Sequence, residues 1–260
     1  MNDDKAPSVS PIDLYAVLGS AAAPVIIDVR HDPPAKGETM VAGAAWRSAQ
    51  NADEWRANLP KGRAVVVYCA DGAGVSPGVV TSLRKNGVSA SYLAGGLNGW
   101  TAAKLPLRRT RGAEQHASRW VTREHPKIDR IACPWLVSRF VDPFAEFIYV
   151  PANDVARFAL EKGAIPYDIK NVEFGHVGDR CSFDAIVKIY GIHDAALDRL
   201  ATIVRGADTS RPDLTPQCEG LLAISYGLSS NYPDDHEMLK HGLIIYDALY
   251  RWCRLQNEKH

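Results

Sequence analysis

Short β-rich runs alternate with helix-like patterns through the first hundred residues, and this order of elements constrains the fold more than any other feature. The runs PVIIDVR, AVVVYCA and SASYLAG are typical of strands, whereas PIDLYAVLG, ADEWRANL and SPGVVTSLRKNG are typical of helices. The alternation predicts an α/β domain on a largely parallel sheet, flanked by helices. AVVVY is apolar without alternation, so we expect a central strand that is covered on both faces.

The second half of the chain has a different character. RRTRGAEQHAS is polar and carries a cluster of arginines, which is typical of a linker. A strand-like AEFIYV follows, and helix-like patterns dominate from about residue 182 onward, so we expect a helix-rich α+β second domain. The predicted division is a first domain over 8–108, a linker over 109–118 and a second domain over 119–258.

Charge and cysteine content limit the classes of protein and partner. Thirty basic residues balance thirty acidic ones, so the net charge favours neither nucleic acid nor an anionic membrane surface. Five widely spaced cysteines without a CxxC pair indicate reduced thiols rather than a secreted disulfide framework. No signal-like start and no run of membrane-spanning length is visible. We therefore expect a cytoplasmic protein without nucleic acid or membrane partners.

The stretch YCADGAGVSPG joins a predicted strand to a predicted helix through a glycine-rich loop. Such a loop places the sulfur of Cys69 near backbone N–H groups and a helix N-terminus, which stabilise a thiolate and lower the thiol pKa. Ser76 is a favourable N-cap and Pro77 a favourable first-turn residue. Gly72 and Gly74 allow the amides to curl inward as an anion nest. Cys69 is therefore either a nucleophile or a small buried residue at the end of a strand.

Four landmarks over about residues 8–108 resemble the rhodanese (sulfurtransferase) domain family: VIIDVR, GAAWRS, a cysteine at the position of the nucleophile, and the glycine pair and tryptophan of YLAGGLNGW. The resemblance implies that Cys69 takes up a sulfane sulfur as a persulfide and passes it to a thiol or cyanide-like acceptor, with no cofactor required. It implies structural roles for Asp28 and Arg30. The amides of the loop would hold the persulfide, and the loop consists of Ala70, Asp71, Gly72, Ala73, Gly74, Val75 and Ser76.

The loop departs from the commonest rhodanese pattern in length and charge. It is one residue longer than usual and in this resembles the phosphatase-like branch of the superfamily. That branch grips phosphate with an arginine, and Val75 stands at the corresponding place, so phosphatase activity is not expected. Asp71 adds a negative charge, and the loop has no lysine or arginine to attract thiosulfate. A persulfide, either of a small thiol or carried on the thiol of another protein, therefore competes with thiosulfate as the predicted sulfur donor.

The segment WVTREHPKIDRIACPWLVSRF carries four basic and two acidic residues within seventeen positions. A strand that leads through Pro126 into a helix would aim several of these side chains at one pocket. Helical spacing places Lys127 and Arg130 on nearly one face. We predict an oxyanion-binding set of Arg123, Lys127 and Arg130; the alternative is a solvated charged face beside a buried aromatic stripe.

VEFGHVGDRCSFD offers a histidine and a cysteine five positions apart, which is compatible with two ligands of a metal site. A complete site needs ligands from elsewhere in the chain. The predicted set is Glu124, His176, Cys181 and His236, and the hypothetical metal is iron, zinc or manganese. The alternative is that His236 is a polar residue in the first turn of the last helix, which a capping box of Asp234 and Glu237 opens.

Four runs over about residues 118–256 resemble the C-terminal domain of ChrB-type chromate-resistance proteins: WVTREHPKIDRIACPWLVSRF, EFGHVGDRCSFDA, LATIVRGADT and ALYRWC. In ChrB regulators this domain follows a different N-terminal region and is associated with chromate-responsive control. Here a rhodanese-like domain takes that place, so DNA binding is not expected. Chromate is a tetrahedral, strongly oxidising oxyanion, and arginines with a redox-active metal or thiol suit it chemically.

The sequence thus supports two hypotheses of function. The first is a rhodanese-type sulfurtransferase linked to chromate resistance or to oxyanion and sulfur stress, with a small-molecule sulfur donor and a thiol acceptor as partners. The second is a chromate- or metal-responsive regulatory protein whose rhodanese domain is a redox or docking module. Chromate or a related oxyanion is a candidate partner in both.

Overall fold

The structure is a computed structural model that describes residues 6–112 and 116–258. Its described residues form two compact units, of which the first comprises residues 6–18, 22–112, 116 and 139–143 and the second residues 19–21, 117–138 and 144–258. Of the predicted linker 109–118, residues 113–115 lie outside the described part of the chain. Within the described residues, no helix combines the length and the apolar character needed to cross a membrane.

The first unit contains seven strands and four α-helices among the described residues. The strands are β1 (Ser8–Val9), β2 (Val25–Asp28), β3 (Thr39–Val41), β4 (Ala44–Trp46), β5 (Val65–Tyr68), β6 (Ala90–Leu93) and β7 (Leu107–Arg109). The helices are α1 (Pro11–Val17), α2 (Ala52–Arg56), α3 (Val75–Lys85) and α4 (Gly96–Ala102).

Five of these strands form one parallel sheet in the order β1-β6-β5-β2-β4, while β3 and β7 form a separate antiparallel pair. This confirms the predicted α/β fold on a parallel sheet. All four residues of β5 are buried, and the strand lies at the centre of the order, as its unbroken apolar run predicts. The C-terminal end of β5 therefore lies at the middle of one sheet edge, where ligands bind in open parallel sheets.

A buried polar network fixes the ends of β2 and β5. The carboxylate of Asp28 is fully buried and accepts hydrogen bonds from Arg30 Nε at 2.9 Å and from the hydroxyl of Tyr68 at 3.0 Å. The Tyr68 hydroxyl in turn accepts a bond from the amide of Val41. Because a buried charge is tolerated only when it is paired and hydrogen-bonded, this network stabilises the strand that delivers Cys69.

The second unit has three strands and six α-helices among its described residues. The strands are β8 (Arg119–Arg123), β9 (Glu146–Val150) and β10 (Ile165–Pro166), which pair in parallel in the order β10-β8-β9. The helices are α5 (Asp129–Leu136), α6 (Val155–Lys162), α7 (Ser182–Tyr190), α8 (Ala195–Asp208), α9 (Gln217–Asn231) and α10 (Asp235–Asn257). The predicted helix-rich second half is confirmed.

Trp135 of α5 lies at the centre of an aromatic core in the second unit. Its ring contacts those of Phe183, Tyr246 and Tyr250 at centroid distances of 6.3, 6.3 and 5.5 Å. These contacts hold α5 against α7 and α10. The last helix begins after the N-cap Asp234, whose side chain accepts a hydrogen bond from the amide of Glu237 at 2.8 Å, but the predicted capping box is only half formed because the side chain of Glu237 pairs with Lys240.

Candidate functional site

Cys69 directly follows β5 and is only 5% exposed. Its Sγ lies 3.2 Å from the hydroxyl oxygen of Ser76 and 3.6 Å from Oδ1 of Asp71. Burial raises the pKa of the Cys69 thiol, but hydrogen bonds from the Ser76 hydroxyl and from the amides of Ser76, Gly72 and Gly74 lower it, and the net shift is downward. The geometry thus favours the thiolate, which is the nucleophilic form of cysteine.

The predicted cap of the following helix was wrong. α3 begins at Val75 with Gly74 as its N-cap, so Ser76 is the second helical residue rather than the cap. Ser76 is fully buried, and its hydroxyl contacts the sulfur of Cys69 instead of a helix amide. Val75 remains 43% exposed at the rim of the loop.

Gly95 and Gly96, which follow β6, pack against the backbone of the Cys69 loop. Gly96 adopts a φ of +55°, and a Cβ on it would collide with the carbonyl oxygen of Cys69. Gly72 adopts a φ of +73°, and a Cβ there would lie 2.8 Å from the amide nitrogens of Gly95 and Gly96. At the start of α4, the amide of Leu97 donates to the carbonyl of Cys69 at 2.9 Å. These contacts explain why glycine is required at positions 72 and 96.

Asp71 occupies part of the predicted anion nest. Its Oδ1 accepts hydrogen bonds from the amides of Ala73 at 3.0 Å and Gly74 at 3.2 Å, and these bonds lower the pKa of the carboxyl group. The prediction that all the amides from Ala70 to Ser76 hold a persulfide therefore needs a correction, because the carboxylate engages two of them. The amides of Gly72, Gly74 and Ser76 remain directed at the sulfur, and that of Gly74 is shared.

A cavity of about 390 Å³ lies beside the loop, between the segment 49–53 and the start of α3. Gly74 and Val75 line it, and a Cβ on Gly74 would lie 3.9 Å from the Cys69 sulfur. The described lining residues include one charged side chain, that of Asp53, and no basic one. Cys69 itself is not among these lining residues, so the cavity borders the loop only at Gly74 and Val75.

A second cluster of ionisable side chains lies in the second unit, around His176. Its Nε2 is 3.1 Å from Oδ2 of Asp208, 3.2 Å from Oδ1 of Asp168 and 3.5 Å from Oδ2 of Asp129. These three carboxylates raise the pKa of His176 to about 12, while burial raises that of Asp129. Among the described residues, one group of three or more His, Cys, Asp or Glu has its ligand atoms within 4.8 Å of one another, and it consists of Asp129, His176 and Asp208.

The structure brings together two of the three predicted oxyanion-binding residues. Arg123 Nη2 and Arg130 Nε lie 3.0 and 3.2 Å from Oδ2 of Asp168, so a carboxylate of the chain itself already joins the two guanidinium groups. Lys127 is not with them, since its Nζ lies 4.2 Å from the ring centroid of Tyr226. The predicted shared helix face was wrong because α5 begins only at Asp129, after Lys127.

Three of the four predicted metal ligands do not join His176 in that group. Cys181 is fully buried at the N-cap of α7, where burial raises the pKa of its thiol and so disfavours the thiolate that binds metals. His236 lies against the ring of Tyr149 at a centroid distance of 5.6 Å. Glu124 accepts a hydrogen bond from Arg130 through its carbonyl rather than its side chain. Asp129 and Asp208, which the predicted set omits, take their place.

Comparison with known proteins identifies both halves of the chain. Residues 120–253, more than half of its length, match the family model described as ChrB, C-terminal domain, and residues 10–103 match that of the rhodanese-like domain. Protein ChrB of Cupriavidus metallidurans is 32% identical over 150 residues, which cover 57% of this chain and 44% of that protein. The chain thus matches less than half the length of this relative.

Solved structures are similar to the first part of the chain. A rhodanese-like domain protein from Staphylococcus aureus is 26% identical and covers 36% of this chain and 90% of its own, with a TM-score of 0.33. A rhodanese-related protein from Thermoplasma volcanium is 22% identical and covers 39% of this chain and 96% of its own, also with a TM-score of 0.33. By its family match the chain belongs to the ChrB C-terminal domain family, and it carries a rhodanese-like domain ahead of that domain.

Proposed function

We propose that the first unit is a sulfurtransferase that carries sulfane sulfur as a persulfide on Cys69. The observation that supports this activity is the position of the Cys69 sulfur, 3.2 Å from the Ser76 hydroxyl and faced by the amides of Gly72 and Gly74. Hydrogen-bond donors around a buried sulfur lower its pKa and stabilise negative charge as it moves along the reacting chain of sulfur atoms.

The proposed reaction has two displacement steps and needs no cofactor. The Cys69 thiolate attacks the terminal sulfur of the donor, an S–S bond to Cys69 forms, and the donor leaves as a thiolate, or as sulfite when the donor is thiosulfate. An acceptor thiolate then attacks the outer sulfur of the persulfide. The bond to Cys69 breaks with its electron pair, which regenerates the Cys69 thiolate and gives a persulfide of the acceptor.

The charges around Cys69 favour a small-thiol or protein persulfide over thiosulfate as the donor. Asp71 holds a carboxylate oxygen 3.6 Å from the sulfur, and the loop from Ala70 to Ser76 contains no lysine or arginine. A dianion that approaches the nucleophile meets this negative charge without a basic loop residue to offset it. A persulfide whose own charge lies farther from the reacting sulfur avoids much of this repulsion.

The physiological setting that we propose is chromate resistance or another oxyanion or sulfur stress in the cytoplasm. It rests on the family match of residues 120–253 and on the similarity to Protein ChrB. In this setting a thiol acceptor receives sulfur under conditions in which a strong oxidant consumes thiols. Nucleic acid and membranes are not partners in this proposal, in agreement with the balanced charge of the chain.

A second candidate function is a metal-responsive or chromate-responsive binding protein whose rhodanese-like domain is a redox or docking module. The cluster of Asp129, His176 and Asp208 favours a metal over an oxyanion. Arg123 and Arg130 already share the carboxylate of Asp168, and further carboxylates surround His176, so an added anion is repelled there.

Intact-protein mass spectrometry after incubation with glutathione persulfide or thiosulfate tests the proposed sulfurtransferase. We expect the mass of one added sulfur atom on Cys69, its loss on addition of a thiol acceptor, and no such adduct in Cys69→Ser. The Cys218→Ser variant is the matched control, because Cys218 is also buried but lies outside the loop. If neither donor adds sulfur to Cys69, the proposed activity is wrong.

A further inference from the structure

One ring nitrogen of His176 faces three carboxylate oxygens in the second unit, those of Asp129, Asp168 and Asp208. An imidazole Nε2 carries at most one hydrogen, so it satisfies one acceptor with good geometry and leaves the others in mutual repulsion. A divalent cation offers charge to all of these groups at once. One hydrogen on Nε2 cannot bond all three carboxylate oxygens, whereas a metal ion can bind several of these groups together.

The distances agree with the spacing of ligands around a metal. First-row divalent ions bind imidazole nitrogen and carboxylate oxygen at about 2.0–2.2 Å, so two neighbouring ligand atoms lie roughly 3–3.5 Å apart. Nε2 of His176 lies 3.1, 3.2 and 3.5 Å from the three carboxylate oxygens. The ligand atoms of Asp129, His176 and Asp208 all lie within 4.8 Å of one another, so the three side chains converge on one place.

The rest of the unit holds two of these carboxylates in place. Asp129 is fully buried, and its two oxygens accept hydrogen bonds from the amides of Ser182 at 2.6 Å and Phe183 at 3.1 Å, at the start of α7. Oδ2 of Asp168 forms ion pairs with Arg123 and Arg130, while its Oδ1 faces His176. Such outer hydrogen bonds orient the ligands of metal sites. His176, with a side chain that is 41% exposed, provides the entry path from solvent.

Two further observations concern residues that adjoin the cluster. Ser182 is fully buried, and its hydroxyl oxygen has no hydrogen-bond partner among the described residues, although its amide holds the carboxylate of Asp129. Such a hydroxyl is costly unless an ion or its bound water satisfies it. The backbone is also strained, because Ile128 and Asp168 adopt φ angles of +35° and +50°. Non-glycine residues in this region cluster at binding and catalytic sites.

We infer that Asp129, His176 and Asp208, with Asp168 as a fourth group, form a binding site for a divalent first-row metal ion such as Mn²⁺, Fe²⁺ or Zn²⁺. One imidazole among several carboxylates suits these ions, whereas a copper(I) site requires soft sulfur ligands. The thiol of Cys133 lies 3.6 Å from Oδ1 of Asp129, but it is not a member of the group formed by Asp129, His176 and Asp208. This ligand set replaces the one that the sequence predicted and keeps only His176.

Metal titration of the chelator-treated full-length chain tests the inferred site. Mn²⁺ is the first probe, because electron paramagnetic resonance measures the free ion directly, and Zn²⁺ is the second, followed by calorimetry. We expect one ion per chain and an affinity that falls at least about tenfold in each of His176→Ala and Asp208→Asn. Asp198→Asn is the matched control, since Asp198 lies on the same helix as Asp208 but outside the cluster, and it retains the wild-type affinity.

The melting temperature of each variant, measured with and without Mn²⁺, separates a lost site from a lost fold. The metal raises the melting temperature of the wild type and of Asp198→Asn, but not that of Asp208→Asn. If His176→Ala does not fold, Asp208→Asn decides, because it keeps the shape of the side chain. Absence of stoichiometric Mn²⁺ and Zn²⁺ binding overturns the inference, as does unchanged affinity in the folded variants. Cys69→Ser binds metal like the wild type, so this result is independent of sulfur transfer.

Discussion

The hydroxyl of Ser76 lies 3.2 Å from the sulfur of Cys69, in the first turn of the helix that follows the loop. This contact links a helix residue to the nucleophile across seven positions of sequence. It contributes, together with three backbone amides, to the lowered pKa of the thiol. Its removal is the most direct test of how the thiolate is stabilised.

Ser76→Ala is expected to raise the pKa of Cys69, because burial then opposes the thiolate with one fewer hydrogen bond. The rate of alkylation by iodoacetamide at pH 7 should fall about threefold to tenfold, and its midpoint should move to higher pH. The pH–rate profile of alkylation measures both. Ser82→Ala, on the same helix, should leave the midpoint unchanged. An unchanged midpoint in Ser76→Ala would show that the amides alone stabilise the thiolate.

Asp71→Asn is expected to change the preference for the sulfur donor. The amide oxygen still accepts bonds from the amides of Ala73 and Gly74, so the loop keeps its shape, but a negative charge 3.6 Å from the sulfur is lost. The kcat/KM for thiosulfate should rise about threefold or more relative to that for glutathione persulfide. Steady-state kinetics with both donors at low and high salt measures the ratio. A ratio equal to that of the wild type contradicts the proposed role of the charge.

Gly96→Ala is expected to destabilise the first unit by about 3 kcal/mol or more, because its Cβ meets the carbonyl of Cys69 and its φ is +55°. Gly87→Ala is the matched control, since Gly87 has a φ of +79° but no atom within 4 Å of an added Cβ. That variant should cost about 1 kcal/mol, from the backbone conformation alone. Urea unfolding measures both. An equal loss of unfolding free energy in the two variants would show that the close contact between Gly96 and the Cys69 carbonyl does not affect stability.

Arg205→Ala is expected to destabilise the second unit by about 2–4 kcal/mol, because it leaves the largely buried carboxylate of Asp184 without its bidentate partner. Asp184 also accepts a bond from the amide of Cys181 and so helps to begin α7. Arg211 makes the same two-bond contact with Asp213 in an exposed position, so Arg211→Ala should leave the free energy of unfolding nearly unchanged. Denaturant unfolding compares the two, and equal costs would contradict the role assigned to burial.

The first unit could largely be predicted because its signals are local. The run that forms β5, the cysteine after it and the glycines of the loop are contiguous, and continuous chain places them at one sheet edge. Ser76 was assigned the wrong role for a physical reason. Serine is a common N-cap, but here its hydroxyl is buried against a sulfur and Gly74 occupies the cap position.

The cluster around His176 could not be predicted because its members are distant in sequence. Asp129 begins α5, Asp208 ends α8, and His176 lies in a loop, so only tertiary packing brings them together. The left-handed backbone at Ile128 and Asp168 carries no glycine that would have indicated a turn. Spacing within one segment therefore suggested Cys181, which instead lies at the N-cap of α7.

Two amides in the first turn of α4 fix the direction of the peptide groups at the start of the Cys69 loop. Leu97 and Asn98 donate to the carbonyls of Cys69 and Ala70, so those oxygens point toward the helix and away from the sulfur. The opposite side of the loop is then left to N–H groups, of which those of Ala73 and Gly74 bind the carboxylate of Asp71 and those of Gly72, Gly74 and Ser76 face the sulfur. Because the backbone supplies these donors, they depend on the close packing of the chain at Gly72 and Gly96, where an added Cβ would collide with neighbouring backbone atoms.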